Sequence, residues 1–156
     1  MTRLLALLAA LLTGVAATAA PAASSETDGA ADAEIPLFRP AGDDNLETFH
    51  WTHRPVIVFA DSPNDPAFIE QMEMLLERSD ELVLRDVVVL TDTNPADRSP
   101  LRQKLRPRGF MLVIAGKDGQ ISLRKPFPWS VREISRTIDK MPIRQREIRE
   151  RTSADP

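Results

Sequence analysis

The residues best suited to chemistry are two aspartates close behind short apolar runs, Asp61 after the run that ends at Phe59 and Asp92 after the run that ends at Leu90. Each run is rich in β-branched residues and too short for a helix, which is typical of a strand buried on both faces. Parallel strands end at the same edge of a sheet, where open α/β folds bind their ligands. We therefore expect a candidate binding groove at that edge, formed by Asp61, Ser62, Asn64, Asp65, Thr91, Asp92 and Thr93.

Oxygen-bearing side chains of this kind allow several uses. They could bind a peptide, a cation or another protein, and two neighbouring carboxylates could form a metal site or an acid/base pair. The same residue types are also what turns and helix caps require, and Asp65-Pro66 is a typical helix start. Haloacid-dehalogenase-like chemistry would need a second aspartate where this chain has Pro63. We favour turn chemistry and assign no catalytic residue, no metal ligand and no cofactor.

A second candidate region is basic. Residues 20–97 contain 4 Lys or Arg against 17 Asp or Glu, whereas residues 98–151 contain 15 against 5. This division is typical of a polyanion-binding face or of an ordinary solvated surface rich in arginine. Nucleic acid is not an expected partner, because no exposed aromatic stripe accompanies the arginines. The candidate basic surface, which could hold anionic lipid headgroups, comprises Arg98, Arg102, Lys104, Arg106, Arg108, Arg124 and Lys125.

Two histidines, His50 and His53, are three residues apart and would share one side of a helix. The spacing could suit a metal, but Pro55 follows closely and no carboxylate stands at ligand spacing. We expect both to be surface residues. Trp51, between them, is expected to cover the core as a lid.

The chain has no cysteine, which excludes thiol–disulfide exchange, thiolate nucleophiles and cysteine metal sites. Residues 1–19 combine Arg3, a leucine-rich stretch and small residues at Ala17 and Ala19, the pattern of a secretory signal peptide. A retained membrane anchor is the alternative, although a span needs about 20 apolar residues and this stretch is shorter. We expect a secreted or periplasmic protein.

The rest of the chain predicts one α/β domain with the element order β-α-β-α-β-β-α. Strands are expected near residues 55–59, 87–90, 110–114 and 121–124, and helices near 66–77, 100–106 and 131–141. Ser79-Asp80-Glu81 is expected to break the first helix, and Asp118-Gly119 to form a hairpin turn. The expected boundaries are a signal peptide at 1–19, a flexible acidic leader at 20–45, the domain at 46–142 and a solvated charged tail at 143–156.

This order, with its closing hairpin and helix, resembles the thioredoxin fold. In that family a Cys-x-x-Cys pair lies in the turn after the first core strand and a cis-proline precedes the hairpin. Here that turn has no cysteine, and the proline position falls near Phe110 or Met111. Residues 53–63, 86–93 and 106–119 also resemble a family of exported bacterial proteins that share a thioredoxin-like domain of unknown function, number 4174. That resemblance implies a fold and no catalytic residue.

Two functions therefore remain open. The first is a non-redox binding or scaffold module in the bacterial envelope, whose partner would be an envelope protein, a peptide or a small ligand. The alternative is an enzyme or metal-binding protein that uses Asp61 and Asp92. We favour the first.

Overall fold

The computed structural model describes residues 35–154. The predicted signal peptide and most of the predicted leader lie outside the described residues. No helix within residues 35–154 combines the length and the hydropathy that crossing a bilayer requires.

A mixed five-stranded sheet forms the centre of the domain, with the spatial order β1-β3-β2-β4-β5. β1 and β2 each pair with β3 in parallel, whereas β4 pairs antiparallel with β2 and β5 antiparallel with β4. The predicted thioredoxin-like α/β fold is confirmed. The strands are β1 Phe38–Pro40, β2 Arg54–Phe59, β3 Val87–Asp92, β4 Met111–Ala115 and β5 Ile121–Lys125.

Within residues 35–154, five α-helices surround this sheet: α1 Pro66–Glu77, α2 Ser79–Val83, α3 Pro100–Leu105, α4 Val131–Asp139 and α5 Pro142–Ala154. Short 3-10 turns cover Leu46–Phe49 and Pro95–Asp97. The predicted helix starts are confirmed, because the side chains of Asp65, Ser99 and Ser130 accept hydrogen bonds from free N–H groups of α1, α3 and α4.

The core has two layers because side chains alternate across the sheet. Val56 and Val58 of β2 pack with α1, α2 and α4 through Leu75, Leu82 and Ile134. Ile57 and Phe59 face the other layer, whose members include Leu46, Phe49, Leu101 and Leu105. Both faces of β2 are therefore buried, as its continuous apolar run predicts.

The domain begins earlier than the predicted boundary at residue 46. Phe38–Pro40 forms β1, where Phe38 pairs with Val89, and Ala41 is 1% exposed. A segment of three residues that includes a proline has no pattern that predicts a strand. It becomes a strand because it pairs with the free edge of β3.

Two local predictions are wrong. Ser79–Val83 forms α2, and the break in the helix falls at Arg78 instead. Trp51 is not a core lid, because its side chain is 70% exposed. Its backbone has a left-handed conformation, with φ of 63°, and its N–H donates to the Lys117 carbonyl at 2.8 Å. Phe49, two residues earlier, is fully buried in the layer that contains Leu46.

Candidate functional site

The carboxyl edge of the parallel strands brings the two predicted aspartates together. β2 and β3 run in register with Phe59 opposite Asp92, so Asp61 lies just beyond the same edge. The juxtaposition that the sequence predicts is therefore present. What the sequence does not predict is the side chain that lies between them.

That side chain belongs to Arg102, the third residue of α3. Its Nε and Nη2 donate to Asp92 Oδ1 at 3.0 and 2.8 Å. Nη2 also donates to the carbonyls of Ala60 and Asp92 at 2.7 and 3.0 Å. The guanidinium lies over the Phe59 ring, 5.4 Å from its centroid. Arg102 therefore joins the ends of β2 and β3.

The second carboxylate oxygen of Asp92 is also occupied. Ser99 Oγ donates to Asp92 Oδ2 at 2.5 Å and accepts from the Arg102 N–H at 3.1 Å, so one hydroxyl caps α3 and holds the strand end. The Asp92 side chain is 5% exposed, and that of Arg102 10%. A charged pair this enclosed is held by its hydrogen bonds, and each carboxylate oxygen of Asp92 accepts at least one of them.

Asp61 is different. Its side chain is 60% exposed and reaches Arg102 Nη1 at only 3.5 Å. In the turn that follows, the Asn64 N–H donates to Ser62 Oγ at 3.1 Å, and the Asp65 carboxylate accepts from the Ala67 N–H at 2.8 Å. Ser62 and Asp65 thus serve the backbone, as turn chemistry predicts, whereas Asp61 and Asn64 present exposed side chains.

The other predicted groove residues lie on the β3 side of this edge. Thr91, Asp92 and Thr93 line a cavity of about 200 Å³. Its remaining wall comes from the segment after β1 and the turn before α3, namely Pro40, Ala41, Gly42, Asn94, Asp97 and Ser99. Within residues 35–154, no three His, Asp or Glu side chains are close enough to hold a metal ion.

The candidate basic surface is divided by the structure. Arg102 is enclosed at the strand ends, and Lys104 pairs with Glu47 at 2.8 Å. Arg124 Nη1 donates to the Leu105 carbonyl at 2.7 Å, and Lys125 Nζ lies 4.7 Å from the centre of the Trp129 ring. The exposed arginines of this set are Arg98, Arg106, Arg108 and Arg124.

The opposite, amino edge holds an ionic network that the sequence analysis missed. Arg54 is fully buried at the start of β2 and donates to the Arg85 carbonyl at 2.8 Å and to Glu147 at 2.9 Å. Lys117 joins the same carboxylate at 3.0 Å and Asp86 at 2.9 Å. Burial opposes the charge of Glu147, but hydrogen bonds from Arg54 and Lys117 outweigh it and lower its pKa to about 2.

This network attaches α5 to the sheet. Arg144, 8% exposed, donates from Nη2 to the Leu84 carbonyl at 3.2 Å and lies 3.3 Å from Glu147. The predicted solvated tail is therefore wrong for its first turns. Alternating Arg and Glu in residues 144–151 was the available signal, but a solvated helix and a docked one share that pattern.

Two further cavities flank the network. One, of about 490 Å³, is lined by Ile35, Leu37, Val83 and His53, together with Pro36, Asp86 and Val87. Burial lowers the pKa of His53 there, against the attraction of the Asp86 carboxylate. The other, of about 260 Å³, lies between the β4–β5 turn and the start of α5, and Arg54 and Lys117 contribute to its wall.

Comparison with known proteins identifies the family. Residues 45–147 match the model of a domain of unknown function, DUF4174. The chain belongs to the DUF4174 family. No curated protein matches it.

The solved structures similar to this DUF4174 protein include a desulfothioredoxin. The reduced solution structure of desulfothioredoxin from Desulfovibrio vulgaris Hildenborough has 13% identity and a TM-score of 0.51, covering 69% of this chain and 99% of its own. Plasmodium yoelii Prx1a, which modified at the N-terminus forms an artifactual octamer, has 15% identity and a TM-score of 0.44. The match covers 65% of this chain and 80% of Prx1a. At 13% identity, the likeness to desulfothioredoxin shows the fold alone.

Proposed function

We propose that this DUF4174 domain is an exported, non-redox binding or scaffold module of the bacterial envelope. The observation that carries the proposal is the closed ion pair at the carboxyl edge, where Arg102 and Ser99 occupy both oxygens of Asp92. A chain without cysteine has no thiol to exchange. The edge is thus built as a stable frame rather than as a reactive centre.

Partner contact would fall on the exposed side chains of that frame. Asp61 and Asn64 project from the turn after β2, and Thr93 lines the neighbouring cavity. These groups are polar, and the Asp65 cap of α1 fixes the backbone next to Asn64. A preformed polar rim loses little entropy on binding, so it suits a peptide or an envelope protein.

Export is supported by Arg3, the leucine-rich stretch and the small residues at Ala17 and Ala19. The full chain, expressed with a carboxyl-terminal tag in a Gram-negative host, should accumulate in the periplasmic fraction and begin near residue 20 on amino-terminal sequencing. Recovery of the intact chain in the cytoplasm would contradict this part of the proposal.

The binding role is tested by cross-linking the tagged chain in envelope preparations and identifying what it captures. The variant Asp61→Ala/Asn64→Ala should lose the captured partner and keep its melting temperature, because both side chains are exposed. Glu73→Ala/Glu77→Ala, which removes two exposed side chains from α1, is the matched control and should keep the partner. Equal capture by both variants would remove the carboxyl edge from consideration.

The alternative function, a carboxylate enzyme or metal site, would need Asp92 to exchange Arg102 and Ser99 for a substrate or an ion. Asp61 alone is a single exposed carboxylate. The geometry therefore favours binding over catalysis.

A further inference from the structure

The corner where β5 ends carries a concentration of positive charge next to an exposed aromatic ring. We call the basic corner the set Arg106, Arg108, Arg124 and Lys125. Between residues 98 and 132 the only acidic residue is Asp118, and it lies in the β4–β5 turn at the other edge of the sheet. The corner therefore has no acidic neighbour in its own segment.

The topology places these residues together. β5 is the last strand of the sheet, and Leu112 near the start of β4 pairs with Lys125 at the end of β5. The loop that enters β4, with Arg106 and Arg108, and the loop that leaves β5 thus lie at one edge. Arg124 reaches the α3 side, where it contacts the Leu105 carbonyl, and Lys125 lies on the opposite face.

Phe127 extends this corner outward. Its side chain is 51% exposed, and it stands between Pro126 and Pro128. Lys125 Nζ lies 5.6 Å from the centre of its ring. Two prolines restrict the backbone on either side, so the exposed ring is presented with little conformational freedom to lose on binding.

A buried side chain anchors the same loop. Gln71 of α1 is fully buried, donates to the Trp129 carbonyl at 3.0 Å and accepts from the Trp129 N–H at 2.8 Å. These two hydrogen bonds fix the backbone of Trp129 to α1. The backbone of the loop is therefore held two residues after Phe127.

We propose that the basic corner binds the surface of an anionic lipid bilayer, with Phe127 entering the headgroup region. Clusters of four to eight Lys or Arg attract anionic lipids, and an exposed aromatic ring adds apolar burial at the interface. None of the three cavities described above includes a residue of the basic corner. An exposed aromatic ring beside these cations matches a bilayer surface, which offers anionic headgroups and an apolar region together.

The acidic residues nearest along the chain do not cancel this charge. Glu133 follows Arg132 and pairs with Arg136 on α4 at 3.6 Å. Asp61, at the same edge of the sheet, faces Arg102. The proposal is independent of a protein partner at Asp61 and Asn64, because it uses different residues.

The two tryptophans provide a local measurement. Trp129 adjoins the basic corner, whereas Trp51 is 70% exposed and contacts Lys117 at the amino edge. In the full chain, Trp51→Phe leaves Trp129 as the reporter, and Trp129→Phe leaves Trp51. Vesicles of brominated phosphatidylcholine with phosphatidylglycerol should quench Trp129 more than Trp51, and vesicles of brominated phosphatidylcholine alone should not quench Trp129. Because the reporter is local, attachment through the apolar residues 4–12 does not imitate this result.

Charge variants complete the test. In the Trp51→Phe background, Arg106→Gln/Arg108→Gln should raise the lipid concentration needed for half-maximal quenching of Trp129 about 30-fold. Arg146→Gln/Arg149→Gln removes the same charge from exposed positions of α5 and should change it less than twofold. Phe127→Ala should weaken it several-fold, and rising salt should weaken it steeply.

Three results would overturn the proposal: no preferential quenching of Trp129, an equal loss with the two arginine pairs, or quenching that salt leaves unchanged. A Trp129 response to polyglutamate without a response to anionic vesicles would also overturn it, since the corner would then bind an acidic polypeptide. These outcomes leave the capture experiment at Asp61 and Asn64 unaffected, so the two proposals fail separately.

Discussion

Each edge of the sheet buries an arginine against a carboxylate, but the two pairs are assembled over very different distances along the chain. At the carboxyl edge, Arg102 and Asp92 are 10 residues apart and belong to one strand–turn–helix unit. At the amino edge, Arg54 and Glu147 are 93 residues apart and join β2 to α5. The first pair holds α3 against the end of β3, and the second holds α5 against the start of β2.

The two pairs therefore stabilise different parts of the domain. Arg102 satisfies carbonyls at the ends of β2 and β3, so it completes the frame around the candidate site. Arg54 and Lys117 share Glu147, and Arg144 contacts the same carboxylate. Loss of the amino-edge pair should therefore release a whole helix, whereas loss of the carboxyl-edge pair should disturb the site locally.

The largest effect is expected from Arg54→Ala. Arg54 is fully buried, and its removal takes a donor from the Arg85 carbonyl and leaves Glu147 with Lys117 and Arg144 alone. Breaking a buried pair on one side costs about 3–5 kcal/mol, which urea unfolding would measure, and amide exchange should show faster opening of α5. Arg146→Ala, at an exposed position of α5, is the control and should cost less than about 0.5 kcal/mol. A loss below about 1 kcal/mol for Arg54→Ala would mean that packing alone attaches the helix.

The next effect is expected from Asp92→Ala, which leaves the enclosed Arg102 with only the exposed Asp61 carboxylate, 3.5 Å from its Nη1. Arg102 keeps its bond to the Ala60 carbonyl, so we expect a loss of about 2–3 kcal/mol, smaller than at Arg54. Asp61→Asn is the control and should cost at most about 0.5 kcal/mol, because that side chain is 60% exposed. The double variant Asp92→Ala/Arg102→Met should be more stable than Asp92→Ala alone. Additive losses in this double-mutant cycle would show that the two side chains do not interact.

Acid should weaken the attachment of α5 at the amino edge. The pKa of Glu147 falls from its usual value of 4.5 to about 2 in the folded chain. A carboxyl with a lowered pKa stabilises the fold fully above its unfolded value, and this contribution is lost as pH falls from about 4.5 towards about 2.

Glu147→Gln should therefore flatten the dependence of unfolding free energy on pH across that interval, while Glu150→Gln, exposed on the same helix, should leave it unchanged. Urea titrations at several pH values would measure both. Identical slopes for Glu147→Gln and the parent protein would disprove the assignment.

The smallest effect is expected when metals are added. Asp92 has both oxygens occupied, and Asp61 is a single exposed carboxylate. Calcium, magnesium, manganese and zinc should each leave the melting temperature of the parent protein unchanged in a thermal-shift assay. A shift that Asp61→Asn abolishes would favour the alternative function and would require the carboxyl edge to rearrange.

Much of the fold follows from local pattern. The apolar runs of β2 and β3, the caps at Asp65, Ser99 and Ser130 and the Asp118-Gly119 turn are each set by neighbouring residues, and the structure contains them all. The candidate site could be placed at the right edge for the same reason. Its closure could not be predicted, because Ser99 and Arg102 look like a cap and a surface arginine until β3 and α3 lie side by side.

The sequence by itself determined the thioredoxin-like order of elements and the absence of thiol chemistry, since both depend on composition and on contacts within a few residues. Tertiary structure alone decided that Phe38–Pro40 joins the sheet, that Trp51 faces solvent and that the first turns of α5 dock on the domain. Those outcomes depend on hydrogen bonds and ion pairs between residues distant in the chain. The sequence does not distinguish an arginine that is exposed to solvent from one that, like Arg54, bonds a carboxylate 93 residues away.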